Sequence, residues 1–573
     1  MYIDRFPPPC IDKKEKLQYN IESKLRKKEE RKMSTHKKYS THLRQVLIPC
    51  FVLSSVTGVI TGAVIYLFRV AAAFVIGRSD AIYSAVRGNP VLLPLLLLGA
   101  ALLGGLAYAL MKLFPACKGG DAQTTITVLR GFWPLKWFPN TVILFISSLI
   151  TYFAGVPLGE EGTSVQLGAA IGKGTVKLFS GKKRSARAWD RYIMTGGACG
   201  GFAAATSSPL TSILFAFDEA HRRFSPMIFM ASATATLSSW GVMQLLCRLT
   251  NVEPRLFVLD TPAVLPLRYL WAPVVVGILC GILAIIFAKG YTKVDKFLEK
   301  TLCRVPKAVK IISAFVIIAL FGFFSSDLMG SGHNIIHHLM EGHAPVWYML
   351  LLYLVIRSVV FLFVSSLDII GGLSVPAMAV GAMVGALSAK GLSAMGLFPA
   401  EYTPVLVIVG VCAFLGATNR APLNAMTFGC EALFGFTNFV SIAIGVASAA
   451  IINEPLGVTA FSDIVIEDKI HTAYHGKEIH VVDAHFTARS SAFITGKEVR
   501  DILWPADCAV LSVDKQDTEH PVIHAGDVLH IRYRTYDPEE TYKTIESIVG
   551  RQKGDTGIHD VHMGDSKYTI PEQ

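Results

Sequence analysis

Long apolar runs separated by short polar connections dominate the chain between residues 46 and 460. Stretches 46–77, 90–114, 227–246, 271–288 and 346–365 each approach or exceed the roughly 20 apolar residues a helix needs to cross a bilayer. The pattern predicts an all-α polytopic membrane protein. After residue 460 the period changes. Segments 477–487, 507–515 and 527–534 alternate as half-buried strands do, and 538–549 reads as a closing helix. Four regions follow: a basic tail over 1–45, a membrane region over 46–460, a small α+β segment over 461–552 and a polar end over 553–573.

The membrane region carries an internal repeat. Shifted by 213 positions, Gly159 falls on Gly372, Gly168 on Gly381, Gly197 on Gly410, Cys199 on Cys412, Pro209 on Pro422, Leu210 on Leu423 and Asp218 on Glu431. Glycine coincidences are common in membrane helices. One constant shift that also carries a Pro-Leu pair and an acid nine positions later is not explained that way. In both copies a polar, glycine-rich break, Pro157-Leu-Gly-Glu-Glu-Gly162 and Asp368-Ile-Ile-Gly-Gly372, precedes a new helix. Helix starts at such breaks present unpaired N–H groups and a positive dipole end, so two facing ones make an anion site without a cationic side chain. A fixed Lys or Arg there would hold an anion too tightly for passage.

Composition and charge narrow the reading. Of 573 residues 52% are hydrophobic and 17% charged, and the mean hydropathy is +0.46, so lipid is the expected solvent. The formal charge of +11 sits in the basic tail and in short connections such as 182–187 and Arg222–Arg223. These are predicted to face the cytoplasm and anionic headgroups, placing both termini on the cytoplasmic side of the cell membrane. No nucleic-acid partner is expected. No CxxC pair occurs in the sequence, no removable signal peptide is expected, the first span is expected to direct insertion, and Met33 is a second candidate start. The histidines from His333 to His343 lack ordered ligand spacing. No nucleophile–base constellation points to an enzyme, and no cofactor or metal is expected.

Four ordered motifs carry a family resemblance. Gly159-Glu-Glu-Gly-Thr-Ser-Val-Gln-Leu-Gly168 is similar to the G-[KR]-E-G-P signature of CLC chloride channels and proton/chloride antiporters. Gly371-Gly-Leu-Ser-Val-Pro376 resembles its G-G-x-F-x-P counterpart, while Pro209 to Glu219 and Arg420 to Glu431 resemble two further segments. The resemblance spans about residues 46 to 460. It implies an inverted repeat with interrupted helices, a homodimer, and transport of chloride or a similar anion coupled to protons. Glu161 falls on the external gating glutamate and Glu219 on the internal proton-transfer glutamate. Glu160 stands where the family has a basic residue. Burial beside an anion site suits a gate, because an ionised carboxylate can occupy the site and a protonated one can leave it. Without the family, Glu161 reads as a first-turn acid favoured by the dipole, and Glu219 as an interfacial acid paired with Arg222 and Arg223.

Anion coordination departs from the family. Its serine motif appears as Lys118-Gly-Gly-Asp-Ala-Gln123, with Gly119 or Gly120 at the serine position, and Gly457 falls where a coordinating tyrosine is usual. That leaves the amides of Gly162, Thr163, Leu373 and Ser374, with the Ser374 or Thr163 hydroxyl, as expected ligands. Thr163 keeps fluoride open as the substrate. The segment around 496–508 and 525–529 resembles a TrkA-C regulatory domain, which implies dimerisation and a small-molecule ligand, or dimerisation alone. A passive channel and a cation transporter with such a domain are the alternatives; the latter lacks any carbonyl-filter motif in this sequence.

Overall fold

The computed structural model describes residues 47–114, 119–133, 135–179, 186–254, 257, 262–433, 435–454, 457–474, 477–489, 492–505, 507–513, 521–550 and 560–563. The basic tail, Met33, the connection at 180–185, Lys118, Pro455, Leu456 and most of the polar end lie outside the described residues.

Eight helices form one unit: α1 (Ile48–Gly88), α2 (Leu93–Leu113), α3 (Ala122–Arg130), α4 (Trp137–Phe153), α5 (Glu160–Phe179), α6 (Ala186–Thr206), α7 (Pro209–Phe215) and α8 (Pro226–Thr250). Eight more follow in the same order: α9 (Trp271–Lys300), α10 (Lys307–Phe324), α11 (His333–Met340), α12 (Trp347–Ser366), α13 (Ser374–Ala394), α14 (Thr403–Asn419), α15 (Pro422–Glu431) and α16 (Phe439–Asn453). A shift of 213 lays each helix of the first set over its counterpart, so the repeat spans the whole unit. Prolines open α7, α8 and α15, where the missing N–H leaves no bond unmade.

Among the described residues, eight helical segments are long and apolar enough to cross a membrane. They differ in what surrounds them. The apolar windows of α13 and of 400–419 are 78% and 72% buried by protein, against 17% for 90–113, so α13 and α14 form the interior and α2 the lipid-facing rim. Small residues let the interior helices touch by their backbones. A Cβ on Gly168 of α5 would lie 2.0 Å from the Gly197 carbonyl oxygen of α6, and at the equivalent crossing a Cβ on Gly381 would lie 2.3 Å from the Gly410 oxygen.

Helix α17 (Phe461–Ala473) follows. The change of sequence period put these residues in the soluble segment, yet Phe461, Val465, Ile466 and Lys469 are buried and α17 packs on α3, α9 and α14. The sheet begins only at β1 (His480–Thr487), which pairs antiparallel with β3 (Val528–Thr535); β2 (Cys508–Val513) lies outside β3, and α18 (Pro538–Val549) covers the inner face. These elements fall within a few residues of the alternation in the sequence. A fourth strand, β4 (Asp560–Met563), adds to β1 from within the stretch read as a polar end; a four-residue strand is too short to register as alternation. The buried face of the sheet combines Val482, Phe486, Ile531 and Tyr533 with Trp504, Ile545 and Ala188 of α6.

The backbone crossings make a direct prediction. Gly168→Leu should lower the stability of the detergent-solubilised protein by at least about 2 kcal/mol, read as a fall in thermal midpoint. Gly99→Ala, on a helix face where a Cβ meets nothing within 4 Å, should hold or raise it.

Candidate functional site

The two glycine breaks meet. Gly159 N–H donates to Gly372 O and Gly372 N–H to Gly159 O, both at 2.8 Å, as an isolated antiparallel pair. Equivalent residues thus pair reciprocally, as a local two-fold axis requires, and the first turns of α5 and α13 face one centre. The acids nine positions after each Pro-Leu follow the same symmetry. Asp218 Oδ2 accepts from Asn424 N at 2.9 Å on α15, and Glu431 Oε2 accepts from Thr211 N at 2.7 Å on α7. Each acid therefore caps the helix start of the other copy.

Glu161 lies at this centre. It is buried, and neither carboxyl oxygen has a hydrogen-bond partner. Its Oε2 folds over Gly159, 2.5 Å from where a Cβ on that residue would be, and the same spot borders Val375 in the first turn of α13. The carboxyl thus spans from its own helix start to the opposite one. Buried polar groups are nearly always paired, so two unmet oxygens on one carboxyl mark a group poised for another partner. Ser164 Oγ and both amide atoms of Gln166 on α5 are likewise buried without partners. The fixed charges acting on Glu161 belong to Glu160 and to Arg69 of α1.

Gly119 and Gly120 form the turn before α3, at φ of +83° and +58°, a conformation side chains resist. Gly119 N–H is bonded to Asp368 O at 3.0 Å and Gly371 N–H to Gly119 O at 2.9 Å, so the Gly119 amide is already committed. The Thr163 hydroxyl donates to Gly120 O at 3.2 Å and contacts Tyr152 Oη at 3.1 Å, while Tyr152 donates to Gly159 O at 2.8 Å. Both hydroxyl protons are thus directed at backbone. Gly162 packs against the break itself, a Cβ there falling 2.8 Å from Gly372 Cα. Leu373 is the buried cap of α13 and Ser374 its half-buried first residue; first-turn N–H groups have no acceptor within their helix. Gly457 stands apart, exposed in a turn where an added Cβ would meet nothing within 4 Å, and the chain meets Asp121 and Gly119 later, on α17.

A cation does reach the site. Lys469 of α17 is buried, and its Nζ donates to Asp121 Oδ2 at 2.9 Å and Thr124 Oγ1 at 2.6 Å. It occupies the space of the absent side chain at residue 119: a Cβ on Gly119 would lie 2.1 Å from Nζ. The sequence argument against a fixed lysine is met by Asp121. An unpaired ammonium 4 Å from an anion contributes roughly 4 kcal/mol at an effective dielectric near 20, about a thousandfold in affinity, whereas a paired one presents only a dipole. Asp121 also caps α3 through Thr124 N at 2.6 Å.

Glu219 sits in a π-helical turn, Ala216–Ala220, after α7. Its pairing with the neighbouring arginines is not found. Oε1 accepts from Asn419 Nδ2 and Oε2 from Asn424 Nδ2, each at 3.1 Å, while Arg222 pairs with Asp463 at 2.7 Å and Arg223 donates to Ile502 O at 3.0 Å. Two neutral amides leave the carboxyl free to hold or release a proton without breaking an ion pair. His221 is half-buried and bonded to Thr195 Oγ1 at 2.8 Å. Beside this turn the C-terminal region is fastened to α6: Tyr192 Oη donates to Asp501 O at 3.2 Å and accepts from Leu503 N at 2.9 Å, and Arg191 donates to Leu503 O and Trp504 O.

A family model described as voltage gated chloride channel matches residues 100–454. The chain belongs to that family. It is similar to the H(+)/Cl(-) exchange transporter ClcA of Klebsiella pneumoniae (strain 342), 27% identical over 371 residues, covering 64% of this chain and 76% of that protein. Its fold is that of a slow cyanobacterial Cl-/H+ antiporter (TM-score 0.65, 22% identity, covering 74% of this chain and 98% of that one). It is also that of a CLC-type fluoride/proton antiporter (TM-score 0.59, 19% identity, 72% and 97%). The voltage gated chloride channel model ends before α17, so the comparison leaves Lys469 uncovered.

Sequence reading missed Arg69, Tyr152, Asn419, Asn424 and Lys469. Only Lys469 carried a local signal: with Phe461 and Val465 it lies at four-residue spacing on an apolar helix face. The Tyr192 bridge predicts that Tyr192→Phe speeds native-state amide exchange at Leu503 about fivefold, the loss of one hydrogen bond worth about 1 kcal/mol. Exchange at Ile531, in the sheet core, should not change.

Proposed function

We propose that the chain is a proton-coupled antiporter for chloride or a similar small anion in the cell membrane, with Glu161 as gate and proton carrier and Glu219 as the proton-transfer group on the other side. The observation that carries this is the Glu161 carboxyl, buried without a partner between the first turns of two helices. Ionised, it takes the place of the anion at those N-termini; protonated, it loses that attraction and yields to one. Anion and proton then alternate at one position, which is what exchange requires. Glu219, held by two carboxamides next to the arginines of the basic turn, is the matching proton donor, and its presence favours exchange over a passive channel.

The side bearing Glu219 is the cytoplasmic one in this reading. Arg130, Arg191, Arg222 and Arg223 gather there, as the positive-inside rule expects, and both termini are assigned to it. The sheet region is a TrkA-C-like regulatory module fastened to α6, a candidate receptor for a small ligand, and the functional unit is a homodimer with one pathway in each subunit.

Reconstituted flux separates the parts. In liposomes under a chloride gradient, Glu161→Gln should carry anions with no coupled proton movement, and Glu219→Gln should cut proton flux at least tenfold while anion flux continues. Wild-type protein that moves chloride without protons would identify a channel. The same assay with fluoride and nitrate assigns the substrate.

A further inference from the structure

Resting on the reading of this site as an anion pathway, we propose that the Lys469–Asp121 pair is its specificity-determining element, the lysine supplying the donor that no residue-119 side chain can give and the aspartate limiting its grip. Three observations converge. Position 119 is glycine, at a φ that disfavours any side chain, and the volume of its missing Cβ is filled by Lys469 Nζ. The pair is nearly enclosed, with side-chain exposures of 6% and 3%. Burying two charges for stability alone gives little return, and an apolar pair of similar volume would serve as well. Lastly, the ammonium has three protons, and Asp121 and Thr124 take two, so a third is left over beside Gly119, whose absent Cβ the Nζ replaces.

The occupant this favours is a small anion of low charge. A multiply charged anion would draw the ammonium away from Asp121 and leave a bare carboxylate beside it, so sulfate and phosphate are disfavoured where chloride is accepted. Electrostatics therefore sets opposite signs for the two halves of the pair. Removing Lys469 alone leaves Asp121 to repel the anion. Removing the Asp121 charge alone frees the lysine to hold the anion harder and release it more slowly.

Calorimetric chloride binding to the purified full chain tests this, with Glu161→Gln as parent so that no carboxylate competes. Asp121→Asn keeps an acceptor for capping α3 and should tighten chloride binding at least threefold while slowing flux. Lys469→Met should weaken it more than tenfold, the scale of a lost charge-assisted bond. The double variant removes both charges together and leaves no buried unpaired one, so it remains informative if Lys469→Met alone fails to fold. It should bind about tenfold more weakly than the parent. The expected order of affinity is Asp121→Asn, parent, double variant, Lys469→Met. The proposal is overturned if the double variant binds within twofold of the parent, or if Asp121→Asn does not bind more tightly. A parent that binds chloride with the expected gate behaviour but gives either of those results fails this proposal alone; a parent that neither binds nor carries any anion removes the pathway reading and this proposal with it.

Discussion

Two hydrogen bonds between Gly159 and Gly372 hold the chain's two halves in register, and the geometry of the centre follows from them. Within a bilayer every backbone N–H and C=O must find a partner inside the protein, so a helix can be broken only where something satisfies the exposed groups. Here each break satisfies the other. Position 372 has no room for a side chain, since a Cβ on Gly372 would lie 2.7 Å from Gly162 N, while one on Gly159 would press on the Glu161 carboxyl and displace it. The pair thus fixes the separation of two positive helix ends and leaves one pocket of space, which Glu161 fills.

Around that centre three charges are handled in three ways. Glu161 has unmet oxygens and no ion pair among the described residues. Lys469 is neutralised by a single carboxylate at hydrogen-bond distance. Glu219 rests on two carboxamides and no ion partner. A transport site must bind well enough to fill and weakly enough to empty, and a buried group locked in a strong ion pair cannot change its protonation or its contacts cheaply. The arrangement keeps strong pairing away from the two acids and uses it only at the lysine, where an uncompensated charge would trap the anion.

The architecture was legible because it is written in periodicity and in a constant shift. Apolar runs gave the membrane helices, alternation gave three of the four strands, and Gly159, Pro209 and Asp218 with their partners 213 positions later gave the repeat. What sequence reading could not supply were contacts set by tertiary approach. Lys469 and Asp121 are 348 positions apart, and Arg69 acts on Glu161 from a helix in which it looks like an ordinary polar residue. Gly119 illustrates the difference. In the sequence it was the loss of a hydroxyl; in the fold it is the space through which a lysine enters. Thr163 gains a second contact that the sequence does not show, its hydroxyl bonded to Gly120 O.

The central claim is that helix-end amides and the Lys469 ammonium together form one anion site beneath Glu161. Anomalous diffraction from crystals of Glu161→Gln grown in bromide measures it directly. A bromide peak is expected within hydrogen-bond distance of first-turn amides of α5 or α13 and about 3–4 Å from Lys469 Nζ, the reach of a charge-assisted contact to a large anion. Well-diffracting crystals with no peak between the two glycine breaks, or with bromide bound only elsewhere, would contradict it.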